Sequence, residues 1–283
     1  MQFFFWNMAG KALTPHLQAA VQHIAPDLIL LAECSIPDAP LLKTVNGAAK
    51  TTFALIRDPA NSSGLRAKGL RVLSSLAGAA ITPIKGHPAG LFAVEIAPPL
   101  GDSFLVILAH LRSKGRTTPE AQASLAQRLP SYITALEGAL GHDRTILVGD
   151  LNMNPFEKGL VDSEALHATM SRYVAAGKHR RVSFEDKLLF YNPMWRLMGS
   201  TDPGPQGTYY WHDSEPTCFF WNTFDQVLVR PSLLNSFKDS SVSILTSLGG
   251  SSLLDADGIP DKASASDHLP LIFEIDFDLS SSP

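Results

Sequence analysis

Five places in the chain set hard-ligand or acid–base side chains at the end of an apolar run: Asn7, Glu33, His110, Asp150 with Asn152, and Asp267 with His268. Carboxylates and amides offer oxygen donors, and oxygen donors with few thiolates suit Mg²⁺ or Mn²⁺ better than zinc. Two imidazoles among them can move protons or steady a phosphate. The chemistry such a set supports is metal-assisted attack of water on a phosphoester. Taken singly, Asn7 is a turn former, Glu33 a surface carboxylate, and Gly149-Asp150-Leu151-Asn152 ordinary turn chemistry. Their weight comes from recurring together at strand ends.

The elements that must position them follow from hydrophobic patterning. Phe3 to Trp6 is a continuous apolar run ending at Asn7, and Thr14-Pro15 opens a helix with Leu17, Ala20, Val21 and Ile24 on one face. That helix must end before Pro26, after which Leu28 to Leu31 forms a second buried strand leading to Glu33. From Thr52 to Leu111 the pattern predicts a meander of mostly antiparallel strands, the last, Phe104 to Ala109, ending at His110. Thr118-Pro119 starts a helix that Pro130 kinks or divides, and Thr145 to Val148 is a strand running into Asp150. Asn154, Pro155 and Glu157 read as the capping box of a following helix, and residues 160 to 200 as mostly helical. Strands are expected again at Thr208 to Trp211, Phe224 to Val229, Val242 to Leu245 and Leu271 to Phe277. Strands throughout with helices early and midway suit two packed sheets flanked by helices, in one domain over 1–279 with a frayed tail at 280–283.

Composition excludes several classes. Lys and Arg number 23 against 27 Asp and Glu, a net charge of −4, so overall charge alone does not hold the chain to nucleic acid. With 45% hydrophobic and 18% charged residues it is a folding, core-forming sequence. No run approaches the roughly 20 apolar residues of a membrane-spanning helix, and Met1 to Asn7 reads as a strand rather than a leader because no basic segment precedes it. Two cysteines, Cys34 and Cys218, make no disulfide framework, which favours a reducing, cytoplasmic setting. Asp255-Ala256-Asp257-Gly258 has its glycine too early for an EF-hand, Gly47 to Thr51 lacks the glycine before lysine of a P-loop, and no G-x-S-x-G elbow exists.

Gly149-Asp150-Leu151-Asn152-Met153-Asn154-Pro155 with a closing Ser266-Asp267-His268-Leu269-Pro270 resembles the endonuclease/exonuclease/phosphatase superfamily. The order Asn7, Glu33, His110, Asp150 and Asn152, Asp225, Asp267 and His268 is similar to that family's motif order along nearly the whole chain. The resemblance implies a four-layered α/β sandwich, its two mixed, mainly antiparallel sheets flanked by helices, with a divalent-metal phosphodiesterase or phosphatase site at one edge. It implies metal binding by Asn7, Glu33 and Asp267, water activation by Asp150, and phosphate contacts from Asn152 and His110. It also implies a phosphate-contacting or basic His268 oriented by Asp225. Two positions depart from the pattern: Ala9, where several nucleases of the family carry an acid, and Gln226, where many members carry Arg or Tyr. The number of metals and the substrate class therefore stay open.

Beside these, Arg112, Lys114 and Arg116 follow His110 and are placed to rim the site and steer an anion. Trp221, with Tyr209, Tyr210, Trp211 and Phe224, either flanks a ring of the substrate or forms core, and core is the favoured reading. Lys178 to Arg181 is read as a solvated helix end or loop, or a phosphate contact. The expected function is Mg²⁺- or Mn²⁺-dependent phosphodiester hydrolysis, first as a nuclease on nucleic acid. A phospholipid, phosphoinositide or small nucleotide is the alternative substrate, and a silent binding module the alternative class.

Overall fold

The computed structural model describes residues 1–57, 69–199, 204–214 and 216–276. Residues 58–68, 200–203, 215 and 277–283 lie outside them, and with the last the expected tail at 280–283 and the end of the strand expected to reach Phe277. Two large sheets dominate. The first runs in the order Ser243–Ile244, Leu271–Glu274, β1 (Gln2–Asn7), β2 (Leu28–Ala32), β4 (Arg71–Ser74), β3 (Ala54–Ile56). The second runs β5 (Ile81–Pro83), β6 (Leu91–Ile96), β7 (Phe104–His110), β8 (Thr145–Asp150), then Asp225–Val229, Phe190–Tyr191 and Ala168–Thr169.

Side-chain alternation explains the layering. Along β1, Phe3 and Phe5 enter the core between the sheets, while Phe4 and Trp6 face the helix side with Leu17, Val21 and Leu41. The helices there are α1 (Thr14–Ile24) and α2 (Asp38–Ala48). Along β8, Ile146 and Val148 meet the inter-sheet core, while Leu147 packs outward with Leu129 and Ile133 of α4 (Leu129–Leu140). Strands sealed on both faces are apolar without alternation, which is why each reads as a continuous run. The result is the expected four-layered sandwich, α1 and α2 on one side and α3 (Pro119–Ala126) and α4 on the other.

Each central pair is parallel and connected by helices, as a parallel crossover requires. β1 and β2 pair with Asn7 opposite Ala32, and β7 and β8 pair with His110 opposite Asp150. The Asp225–Val229 strand runs antiparallel to β8 and starts with Asp225 opposite Asp150. The Leu271–Glu274 strand is antiparallel to β1, with Leu271 opposite Phe5, so residues just before it arrive beside Asn7. All the polar tips therefore meet at one edge.

Three local expectations are corrected. The strands of 52 to 111 do not form one meander, since β3 and β4 join the first sheet and β5 to β7 the second. Residues 160 to 200 are not mostly helical: four- or five-residue helices at Lys158–Val161, Arg172–Ala176 and Trp195–Met198 alternate with short strands. Lys178 to Arg181 is no helix end, because His179–Val182 pairs with Glu185–Leu188 in an exposed hairpin. Its turn residues Ser183 and Phe184 both take positive φ, at 47° and 74°, the geometry of a two-residue hairpin turn without the usual Asn-Gly signal. The capping box is half right. The backbone N–H of Asn154 donates to Glu157 Oε1 at 2.8 Å, but residues 155 to 157 form a turn and the helix starts at Lys158. Pro130 divides its helical stretch as expected, standing in the first turn of α4.

At the end of the second sheet remote from Asp225, Arg230 is buried against Glu137 of α4, Nε donating to Oε1 at 2.8 Å. Thr145 Oγ1 donates to the same oxygen at 2.7 Å, and the guanidinium lies 3.9 Å from the Phe190 ring centre. Removing one partner of a buried ion pair leaves the other uncompensated. Glu137→Ala is expected to cost about 3 to 5 kcal/mol in a urea-unfolding measurement; a loss below about 1 kcal/mol would contradict this burial.

Candidate active site

At the common edge, Asn7 Nδ2 donates to Asp150 Oδ2 at 2.9 Å, joining the first sheet to the second. His110 Nε2 lies 3.2 Å from Glu33 Oε1 and 3.7 Å from Asp150 Oδ2. From the same oxygen, His268 Nε2 is 4.0 Å away. Asp150 thus has two imidazoles within 4.0 Å, and its Oδ1 accepts the backbone N–H of Asn152 at 2.9 Å.

His268 is held from every direction. Its Nδ1 donates to Asp225 Oδ2 at 2.7 Å, its carbonyl accepts the Trp6 indole N–H at 2.9 Å, and its backbone N–H donates to Ser266 Oγ at 3.1 Å. Ser266 Oγ in turn donates to the Asn7 carbonyl at 2.6 Å. Burial alone would lower the His268 pKa, but the Asp225 carboxylate bonded to it, with Asp150 and Asp267 nearby, pushes it up to about 10. The ring is therefore imidazolium at neutral pH. The Asp150 carboxyl is raised by burial, with the two imidazoles pulling against that shift.

Backbone geometry is bent to fit. Glu33 and Asn152 take positive φ, 49° and 53°, a region costly for side chains with a Cβ and tolerated best by Asn. The Glu33 turn is held because Gly10 N–H donates to the Glu33 carbonyl and Cys34 N–H to the Gly69 carbonyl, both at 3.0 Å. Gly149 has φ 149°, and a Cβ there would meet the Ala109 carbonyl oxygen at 1.9 Å. That close approach of β7 to β8 brings His110 beside Asp150, and it accounts for the glycine in Gly-Asp.

All eight cluster residues expected from the sequence come to this edge, but the outlying ones divide. Asp267 lies near Tyr209 and His268, acting electrostatically on both, and its Oδ1 is buried without a hydrogen-bond partner. Asn152 Nδ2 donates to the Leu111 carbonyl at 3.3 Å. Arg112 is exposed, whereas Lys114 Nζ is paired with Glu157 and lies 5.8 Å from the Phe224 ring centre. Trp221 packs edge-on to Tyr210 and against the helix-side core of the first sheet. Gln226 is buried, its side chain bonded to the Met153 carbonyl and the Asn192 amide.

Patterning did not single out Trp6, Thr208, Gln122 or Ser266 as site-building residues, and it left Tyr209 between substrate and core. Tyr209 stacks on Phe224 and sits 4.7 Å from the His268 ring; its phenol is pushed up to about 12 by burial and by Asp267. Thr208 Oγ1 accepts the Asp225 N–H, and Gln122 Nε2 donates to the Asn152 carbonyl at 3.0 Å. Ser266 adjoins Asp267-His268, so its position in that motif was the available signal.

The family model described as the Endonuclease/Exonuclease/phosphatase family matches residues 4–268. The chain belongs to that family. A search of curated proteins finds no significant match. Among solved structures, a family protein from Leptotrichia buccalis is 12% identical with a TM-score of 0.55, covering 98% of this chain and 100% of that one. The 3′-5′ exonuclease NExo from Neisseria meningitidis is 15% identical, with a TM-score of 0.53 over 98% and 100% of the two chains. D. rerio TDP2 complexed with single-strand DNA product is 12% identical, with a TM-score of 0.53 over 96% and 97%. At these identities the likeness shows the family's fold.

Oxygen donors predominate in the cluster, and Asp225 and Asp267 each keep one buried carboxylate oxygen without a hydrogen-bond partner. Ligand atoms of Asp150, Asp225 and His268 lie within 4.8 Å of one another, close enough to surround an ion. Since His268 Nδ1 is engaged by Asp225, the carboxylate and amide oxygens at this edge fit a hard cation better than the imidazole does.

Two outcomes follow from this geometry. In Gly149→Ala the added Cβ should cost roughly 3 kcal/mol or more, read as a lowered urea midpoint; an unchanged midpoint would refute the close-approach account. In Asp225→Asn the His268 pKa should fall from about 10, because the largest raising influence is gone while burial still lowers it. Imidazole NMR titration reads the change, and a value that stays put would show that Asp225 does not hold the proton.

Proposed function

We propose that the chain is a divalent-metal-dependent phosphodiester hydrolase with nucleic acid as its substrate. The observation that carries this reading is Asp150 with His110 at 3.7 Å and, at 4.0 Å, a His268 held by Asp225. Burial makes the Asp150 carboxylate a stronger proton acceptor, and the two imidazoles favour its ionised form before reaction. It receives the proton of the attacking water. His268, cationic and locked by Asp225, stabilises negative charge as it grows on the phosphate, and Asn152 and His110 add hydrogen bonds there. Asn7, Glu33 and Asp267 would hold Mg²⁺ or Mn²⁺. The chemistry such an ion supplies when bound is neutralisation of phosphate charge.

Two relatives in fold support nucleic acid over lipid: TDP2 was solved with single-strand DNA product, and Neisseria NExo, a 3′ phosphatase in that structure, with a product DNA hairpin. Among the described residues no helix is long and apolar enough to cross a membrane. Exposed Arg112 next to the His110 strand end supports an anionic substrate.

The test is a time course on supercoiled plasmid with Mg²⁺ or Mn²⁺, with EDTA and His268→Ala beside it. Nicking should require the metal and fall by about 10² to 10⁴-fold in the variant, with the melting temperature within a few degrees of the parent. A fully active His268→Ala would sink the assignment. An intact plasmid would shift the substrate to RNA, phospholipid or small phosphoesters, each then offered under the same conditions.

A further inference from the structure

Behind the site lies a set of buried amides that the reaction itself does not use. Asn154 is fully buried, two residues beyond Asn152. Its Nδ2 donates to Asn222 Oδ1 at 2.8 Å, and its Oδ1 accepts the Thr223 backbone N–H at 2.9 Å. Asn222 and Thr223 lead directly into Asp225. Two further bonds join the same two segments: Leu151 N–H donates to the Phe224 carbonyl at 2.8 Å, and Gln226 Nε2 to the Met153 carbonyl at 2.5 Å. The turn that displays Asp150 and Asn152 is thus tied on both sides of Asp225 to the strand that displays it.

The tie also reaches the rim. Glu157 Oε1 accepts from Asn154 N–H, while its Oε2 pairs with Lys114, four residues past His110. A buried amide satisfied at both its donor and its acceptor has one orientation, since rotating it strands polar groups away from water. Among the described residues no side-chain hydrogen bond joins Asn154, Asn222 or Gln226 to Asn7 or Glu33, which are carried by the first sheet.

We propose that Asn154 is a positioning residue, its buried amide fixing the Asp150–Asn152 turn against the Asp225 strand so that the turn's carboxylate and amide keep one geometry relative to His268. The proposal rests on the catalytic roles given above and adds to them a residue that contacts no substrate. Misplacing reactive groups by about 1 Å can cost on the order of 10²-fold in rate. Because the loss acts on alignment, it falls on kcat. The first-sheet groups that would hold the ion keep their places.

The experiment compares the full chain with Asn154→Ala, Asn222→Ala and the double variant on whichever phosphodiester the parent cleaves. The expected result is a kcat lowered roughly 10- to 100-fold, with KM and the half-saturating Mg²⁺ concentration within about twofold of the parent. The double variant should be little worse than either single one, since both cut the same bond. A folded Asn154→Ala with parental kcat overturns the proposal, as does a loss shared equally by kcat, KM and Mg²⁺ dependence, which is what general loosening produces. If Asn154→Ala does not fold, Asn222→Ala breaks the same bond from the strand side and carries the same criteria. Crystal structures of parent and variant give a readout independent of turnover. The Asp150–His268 separation, 4.0 Å in the parent, should change; an identical arrangement overturns the proposal even if the parent cleaves no phosphodiester, an outcome that would separately remove the functional reading.

Discussion

Everything at the site depends on the double burial of the central strands. β1, β2, β7 and β8 are sealed by helices on one face and by the opposite sheet on the other, so a charge along their length would have neither water nor partner. Polar side chains are driven to the tips. Parallel pairing within each sheet then puts successive tips at the same end, and the antiparallel partners contribute Asp225 and Asp267-His268 from the residues that open them or precede them.

The site is a seam between the two sheets. The first sheet supplies Asn7, Glu33, Asp267 and His268, and the second supplies His110, Asp150, Asn152 and Asp225. Two of the short side-chain bonds that cross between them, Asn7 to Asp150 and His268 to Asp225, involve a buried carboxylate. Such groups are costly to bury alone and are stabilised by being bonded. The packed hydrophobic interior between the sheets, from Phe3 and Phe5 to Val148 and Val227, sets the distance across which those bonds form.

Much of this was legible in the amino-acid order because doubly buried strands announce themselves as unbroken apolar runs and their polar tips stand next in sequence. Asn7, Glu33, His110, Asp150 and His268 could be read for that reason. The segment from 160 to 200 could not, since its strands are two to four residues long and its hairpin turns on Ser183 and Phe184 rather than on glycine. Asn154 looked like a helix cap, yet its side chain serves Asn222 and Thr223, about seventy positions away. Lys114 looked like a free cation and is held by Glu157. Contacts across long sequence separations leave no periodicity, so neither pairing had a local signature. Tyr209 sits between the two readings its aromatic cluster allowed, packed on Phe224 like core while touching His268.

The bonds from Trp6 to the His268 carbonyl and from Ser266 to the Asn7 carbonyl join positions separated by 262 and 259 residues. The Ser266–His268 segment must therefore return across roughly 260 residues to the strand that carries Trp6 and Asn7. Until it does, Asn7 and Asp150 have no His268 beside them. Such closure of distant segments also belongs to slow-folding topologies, in which entropy must be lost over a long loop before any contact compensates.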